Sequence, residues 1–469
     1  MTTGRPLVPR VAVVSPYWHF FEPAVDGDLR ADRRALLADA VADVEQHALV
    51  VLDELVDSAD GVELLQARIE AVDADVLLLL LTMAAPPVST VQLVAVLPGV
   101  SVVVWACGRS GALANTVTHA DIVRRGATVG TPMITSDLVA EGRSFALLDA
   151  APRTPDANEQ LRVTLAAAAV AARVRHARVG RLGTALAGYS SVDDSDARLH
   201  GGLGLQILSL PETTLAAACA EVSSADVRAW LDAYEAGYDW RERDERAVVA
   251  AVALEATMTD YRLDAGTLNC HVDAIRGAPA IGAPCFALGH ATSSGRPWTC
   301  TGDVLTAITM MIASWLTGTA LYHEIEAHDD VRDDFVLANS GEHDSRWAPD
   351  RPRVDRNPWW PQGVSARHAL LEGDCTVLTL RRGASRHRLV VAEGRTSADE
   401  LPGTGTASGR FSFAGTSGRD AWRAWVRAGA GHHSCLARGH VAPQLQQVAD
   451  HLGIGCTVVT GTSTSADRR

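Results

Sequence analysis

Two stretches of this chain carry most of the side chains able to do chemistry. The first is "RAGAGHHSCLARGHVAPQLQQVADHLGI", residues 427–454, where small residues lead into His432 and His433, with His440 shortly after. Imidazole titrates near neutral pH and binds divalent metals, so such a cluster serves an acid–base or metal site. The competing reading is that these histidines cap and pack the amphipathic run that follows, and His440 is assigned to that structural role. The second stretch, residues 298–344, holds Asp303, Glu324, Glu326, Glu342 and His343. Carboxylates of this kind act as general acids and bases and are the preferred ligands of hard cations. A third, looser set follows two N-terminal strands: Tyr17, Trp18, His19 and Glu22 after "RVAVVSPYW", and Cys107 and Arg109 after "VSVVVWACG". Ligands of open parallel sheets bind beyond the strand C-termini, which places this set near a cleft. Trp18, Tyr17 and Trp298 are aromatic side chains that could stack on a ligand ring.

Composition excludes several alternatives. The 469 residues contain no lysine, so lysine Schiff-base chemistry, a lysine-anchored pyridoxal phosphate and a Walker-type phosphate loop are all ruled out. The formal net charge is -14, a field that repels nucleic acid and anionic membrane. The longest apolar run, "VLLLLLTM" at 76–83, is far below the ~20 residues of a membrane helix and reads as a strand buried on both faces. No signal-peptide core precedes the first strand, so a cytoplasmic location is expected. No GxGxxG follows that strand, and no nucleotide is expected.

The elements that must position these groups follow from periodicity. Strands at 10–18 and 48–55 alternate with helices at about 29–46 and 60–71. "DVLLLLLTM" and "VSVVVWACG" add two buried strands, giving an open parallel α/β sheet. A long helix at 156–179 leads to a second βα series. Residues 304–317 are apolar nearly all round and form a buried helix, which Gly318 stops. The Pro- and Arg-rich stretch 345–363 reads as a domain linker. The short strands beyond it suggest a small antiparallel barrel.

Taken in order, these segments resemble the L-fucose and L-arabinose isomerase family. "VAVVSPYWHFFEP" resembles its first strand and turn, and "VGRLGTALAGYSSVDDSDARLHGGLGLQILSLP" the start of its second domain. "TLNCH" and "GAPCFALGH" precede its acidic motif, which "CTGDVLTAITMMIASWLTGTALYHEIE" resembles. "GVSARHALLEGDCTVLTLRRG" is similar to its C-terminal barrel and "GAGHHSCLARGHVAPQLQQVADHLGI" to its closing histidine motif. The resemblance implies two Rossmann-like α/β domains, 1–177 and 178–345, followed by a β-barrel domain, 346–469. It also implies aldose–ketose isomerisation through an enediolate, Mn²⁺ or another divalent cation, a sugar-like substrate, and a homotrimer or homohexamer.

Carried over by position, the resemblance assigns Glu324, with Glu326 as the register alternative, and His433 as catalytic residues and metal ligands. Asp303 joins the catalytic group and also favours the positive end of the following helix. Substrate contacts are expected from Trp18, His19, Arg109, Asn269, Trp298, Thr301, Asn339, His343 and His432. Two positions depart from the family pattern. Thr301 stands where the family has a glutamate, and Asn339 where the arabinose branch has a histidine. Threonine offers a cation no charge and cannot shuttle a proton, so metal binding is expected to be weakened unless Asp303 or Glu342 replaces that carboxylate. Two other readings remain beside the isomerase: altered, metal-independent acid–base chemistry in specialised metabolism, and a non-catalytic carbohydrate-binding protein.

Overall fold

The computed structural model describes residues 6–57, 62–108, 112 and 115–459. Five strands open the chain: β1 (Arg10–Tyr17), β2 (Leu49–Asp57), β3 (Val76–Leu81), β4 (Ser101–Ala106) and β5 (Phe145–Leu148). They form one parallel sheet in the order β2-β1-β3-β4-β5. Strand β3 lies at its centre, and all six of its residues are buried. Strand side chains alternate between faces. Val76, Leu78 and Leu80 accordingly join one core with Leu37, Leu161 and Leu165, while Leu77, Leu79 and Leu81 join another with Leu65, Leu93 and Leu138. Helices cover both faces, so an unbroken apolar run is stable here. Each buried side chain contributes about 1.5–3 kcal/mol. These elements belong to a unit of Leu7–Arg175 together with Gln447–Gly453.

The second unit contains His176–Gln446 and the strand following Ile454. Its strands are β6 (Arg178–Leu182), β7 (Gln206–Leu210), β8 (Asp239–Trp240), β9 (Ala265–Leu268), β10 (Trp298–Thr299), β11 (Leu321–Asp329), β12 (Asp334–Ala338), β13 (Arg353–Arg356), β14 (Val364–Arg367), β15 (Gly373–Arg381), β16 (Arg388–Ser397), β17 (Gly409–Phe413), β18 (His433–Arg438) and β19 (Gly455–Val459). A parallel sheet runs β10-β9-β6-β7, and a three-stranded sheet runs β14-β13-β8. The third sheet has the order β15-β18-β11-β12-β17-β16-β19 and is antiparallel except where β19 joins β16. Strand β15 also pairs with β16, so its ladder closes on itself. The fold is thus mixed α/β, with parallel sheets and one largely antiparallel sheet. The barrel expected from sequence is matched only to the extent of this closed ladder.

Two local expectations resolve differently. The helix Val304–Thr317 forms as read, with residues 304–314 all buried and Gly318 at φ 77° ending it. The stretch read as a linker instead carries β13. Pro352 and Pro358 flank this strand rather than interrupt it, as a residue without an N–H requires. Among the described residues, no helix is long and apolar enough to cross a membrane.

Candidate active site

Strand register creates the central contact. Glu324 of β11 is paired directly opposite His433, the first residue of β18. Directly opposed residues on an antiparallel pair have Cβ atoms about 4.5–5.5 Å apart. Glu324 Oε1 lies 3.2 Å from His433 Nε2. The other ring nitrogen, Nδ1, is 2.7 Å from Asp303 Oδ2. Asp303 is at the same time the N-cap of the buried helix, accepting from the Thr306 N–H at 2.8 Å and the Thr306 hydroxyl at 2.7 Å. One carboxylate therefore starts a helix and fixes the orientation of an imidazole. The turn before it is tight: Thr301 has φ 58° and Gly302 φ 73°. A Cβ at Gly302 would stand 2.5 Å from Ala185 Cα, so only glycine fits.

A β-bulge supplies the fourth group. The ladder between β11 and β12 shifts register between Ile325 and Ala327, which leaves Glu326 unpaired. Its carboxyl meets that of Glu324 in a hydrogen bond. Bulges re-aim side chains in this way.

The electrostatics follow from these contacts. Burial of His433, which is 5 % exposed, disfavours its charge. The bonds from Asp303 and Glu324 outweigh that effect and raise its pKa to about 9, so the ring is an imidazolium at neutral pH. Burial likewise pushes Glu324 up, but the bond and charge of His433 hold it below the ordinary carboxylate value. Glu326 is pushed up to about 7 by partial burial and by the bond and charge of Glu324. The residue as a whole is exposed, so the neighbouring carboxylate is the firmer cause. Below about pH 7 the two adjacent carboxyls are thus held in opposite protonation states, Glu324 ionised and Glu326 protonated.

Glu342 is a further group. It is 1 % exposed, and among the described residues neither carboxyl oxygen has a well-formed hydrogen bond; the Cys300 thiol and its own backbone N–H are the donors nearby. Burial, then the charge of Cys270, pushes it up to about 7. The buried Tyr322 hydroxyl has no hydrogen-bond partner among the described residues, and it feels the charges of Cys300, Asp303, Glu342 and Glu324. By sequence Glu342 stands only as a replacement for the carboxylate missing at Thr301. The signal available was an acid within "NSGEHD", directly after the apolar strand "FVLA".

The remaining expected residues have varied positions. His432 lies beside His433, with ring centroids 3.9 Å apart, and its other side faces Tyr189 at 5.3 Å. Thr301 donates its hydroxyl to the Cys300 carbonyl and shapes the turn. Asn339 donates to the carbonyls of Tyr322 and Glu342, clasping β11 to the turn after β12. Asn269 caps the His271 N–H at 3.0 Å. Trp298 is fully buried, its indole N–H on Met258 Sδ and its ring against Gly180 and Gly266, so it presents no face to a sugar. His343 is also buried, 3.4 Å from the Tyr238 hydroxyl, which continues to His290 and Glu255. Trp18 and His19 lie in the other unit. Trp18 stacks on Phe20 at 4.5 Å, and His19 pairs with Asp57 at 3.2 Å. Arg109 lies outside the described residues.

The donor set suits a divalent cation. One ligand atom each from Glu324, His432 and His433 lie within 4.8 Å of one another. One carboxylate and two imidazoles suit Mn²⁺ and similar ions, and Asp303 holds the far nitrogen of His433 as an orienting partner does. Because His433 carries a proton to about pH 9, an ion must displace it. Calorimetric titration with Mn²⁺ in buffers of different ionisation enthalpy is expected to show about one proton released per ion at pH 7, with affinity rising toward pH 9. Binding without proton release would place the ion elsewhere.

In comparisons with known proteins, the chain is similar to an L-arabinose isomerase of Geobacillus thermodenitrificans (strain NG80-2), 24% identical over 324 residues. The match covers 65% of this chain and 64% of that enzyme's length. No protein-family model matches the chain. The similarity supports an isomerase-like relation.

Proposed function

We propose that this chain interconverts an aldose and a ketose, on a sugar or sugar-derived substrate, by proton transfer through an enediol. The observation that carries this reading is the ionised Glu324 held between His433 and a protonated Glu326. Isomerisation needs such a pair, one group to move a proton between neighbouring carbons and another to serve the oxygens. The Glu324 carboxylate removes the C2 proton. The C–H electrons become the C1=C2 bond, and the carbonyl π electrons move to O1, which takes the proton of Glu326. The O2 proton then passes to the Glu326 carboxylate, C2=O forms, and Glu324 returns its proton to C1. The His433 imidazolium, fixed by Asp303, keeps Glu324 ionised and favours negative charge on the oxygens. A divalent cation held by Glu324, His432 and His433 would take the place of the His433 proton and supply the electrostatic stabilisation of that charge in its stead. The distant similarity to an L-arabinose isomerase supports the reaction class. We carry with it a cytoplasmic homotrimer or homohexamer, which sedimentation would test.

A pH profile tests the assignment. Glu326 must be protonated to serve O1, and its pKa is near 7, so kcat/KM is expected to fall as pH rises through about 7. Glu326→Gln is expected to remove that limb and lower kcat/KM about 100- to 10,000-fold. Glu342 also titrates near 7, so Glu342→Gln is the control. If Glu342→Gln alone abolishes the limb, the acid is Glu342 and the role given to Glu326 is wrong.

A further inference from the structure

Of the aromatic side chains expected to stack on a ligand ring, Trp298 is fully buried and Trp18 packs in the other unit. The second unit exposes a different one. Trp422, 44 % exposed, lies on the helix Gly418–Arg427. Gly418, Ala421 and Trp425 form the buried side of that helix, so Trp422 points outward together with Arg419 and Arg423. The Gly418 N–H donates to Asp333 Oδ2 at 2.8 Å, which seats the helix against the turn after β11. A pocket of about 350 Å³ opens here, lined by Trp422, Arg419, Arg423, Phe335, His328 and Glu326. Small-molecule sites enclose roughly 300–1,000 Å³, so this one suits a ligand of monosaccharide size. Glu326 is the bulged residue whose carboxyl meets that of Glu324. A single exposed tryptophan is ordinary on a protein surface. One that shares a pocket with the proposed acid is placed to hold what that acid acts on.

The charges around this pocket are matched. Arg419 pairs with Asp330 at 3.0 Å, and Arg423 with Asp420 at 3.3 Å. His328 Nδ1 lies 2.9 Å from Asp330, and its ring stacks on Phe335 at 4.6 Å. Both guanidiniums of the lining thus have a carboxylate, and Glu326 adds a further carboxyl. A phosphate or carboxylate on the ligand would find no spare positive charge and would lie beside these acids. A neutral polyhydroxylated ligand meets no such penalty. Its C–H face covers the indole and removes apolar surface from water, while its hydroxyls accept from guanidinium N–H groups and donate to carboxyl oxygens. Aromatic walls with a few placed polar groups are the usual make-up of such sites.

We propose that Trp422 is the platform on which the substrate stacks, and that the substrate is a neutral, unphosphorylated sugar whose reacting carbons face Glu326. The part given to Glu326 rests on the isomerase reading; the stacking does not. Calorimetric titration of the full chain with ribitol, sorbitol and sorbitol 6-phosphate tests the platform without turnover, because these polyols have no carbonyl. Ribitol or sorbitol is expected to bind with a Kd below about 10 mM, and sorbitol 6-phosphate no more tightly than sorbitol. Trp422→Ala is expected to weaken polyol binding about tenfold or more, and Trp422→Phe, which keeps an aromatic face, by no more than about threefold. Turnover is followed separately, as ketose formed from a panel of neutral aldopentoses and aldohexoses. There Trp422→Ala is expected to raise KM about tenfold and to leave kcat within a few-fold, as loss of uniform binding does. Polyol binding that depends on Trp422, with no ketose formed, would remove the isomerase reading and leave the platform standing. Ketose formation with an unchanged KM in Trp422→Ala would do the reverse. The proposal is also overturned if neither polyol binds the parent chain, if Trp422→Ala binds them unchanged, or if sorbitol 6-phosphate binds about ten times more tightly than sorbitol.

Discussion

Glu324→Gln is expected to lower kcat/KM for aldose–ketose conversion by about 100- to 10,000-fold and to shift Tm by no more than a few degrees. Glutamine keeps the shape of the side chain and can still accept from His433, but it cannot take a carbon-bound proton. The side chain is 32 % exposed, and His433 remains paired to Asp303 in the variant, so no buried charge is stranded. Measuring kcat/KM and the thermal midpoint on one preparation separates chemistry from folding. Full turnover in Glu324→Gln would remove this residue as the base, and with it the mechanism above.

Asp303→Asn should produce the largest change in stability, and that change should depend on pH. His433 has a folded pKa of about 9 against an ordinary value of 6.5. Its protonation thus stabilises the fold fully below about 6.5, and this contribution is lost as pH rises through about 9. At most it amounts to roughly 3 kcal/mol. The depressed Glu324 pKa is the other side of one of the same bonds and is not added. Breaking a buried pair from one side costs about 3–5 kcal/mol. Asparagine is itself a good N-cap, so the variant leaves the Thr306 contact largely served and isolates the lost charge. Urea unfolding at pH 6 and pH 9.5 is expected to show a large gap between variant and parent at the lower pH and a much smaller one at the higher. A gap that does not change with pH would mean that Asp303 acts on this helix alone, with no charge coupling to His433.

Sequence and structure divide the account of this protein along a physical line. Whatever depends on local pattern could be read directly. The run "VLLLLL" is apolar at every position because helices cover both faces of its sheet, and it forms β3. The helix 304–317 starts at an aspartate and stops at a glycine, as the sequence reads. The absence of lysine by itself removes whole classes of chemistry. The groups that meet are legible as chemical types in two stretches of the chain, but their shared role follows from a resemblance and not from spacing.

What tertiary structure alone decided is the meeting itself. Asp303 and His433 are 130 residues apart in the chain. Their contact, and that of Glu324 with His433, depends on β11 pairing with β18 in one register. A slip of one residue would turn every side chain of β11 to the opposite face, and no local period encodes which distant strand becomes the partner. The bulge that frees Glu326 and the burial that raises the Glu342 pKa belong to the same order of information. Protonation states come last, because they are set by the charges and the dielectric that packing brings around each group.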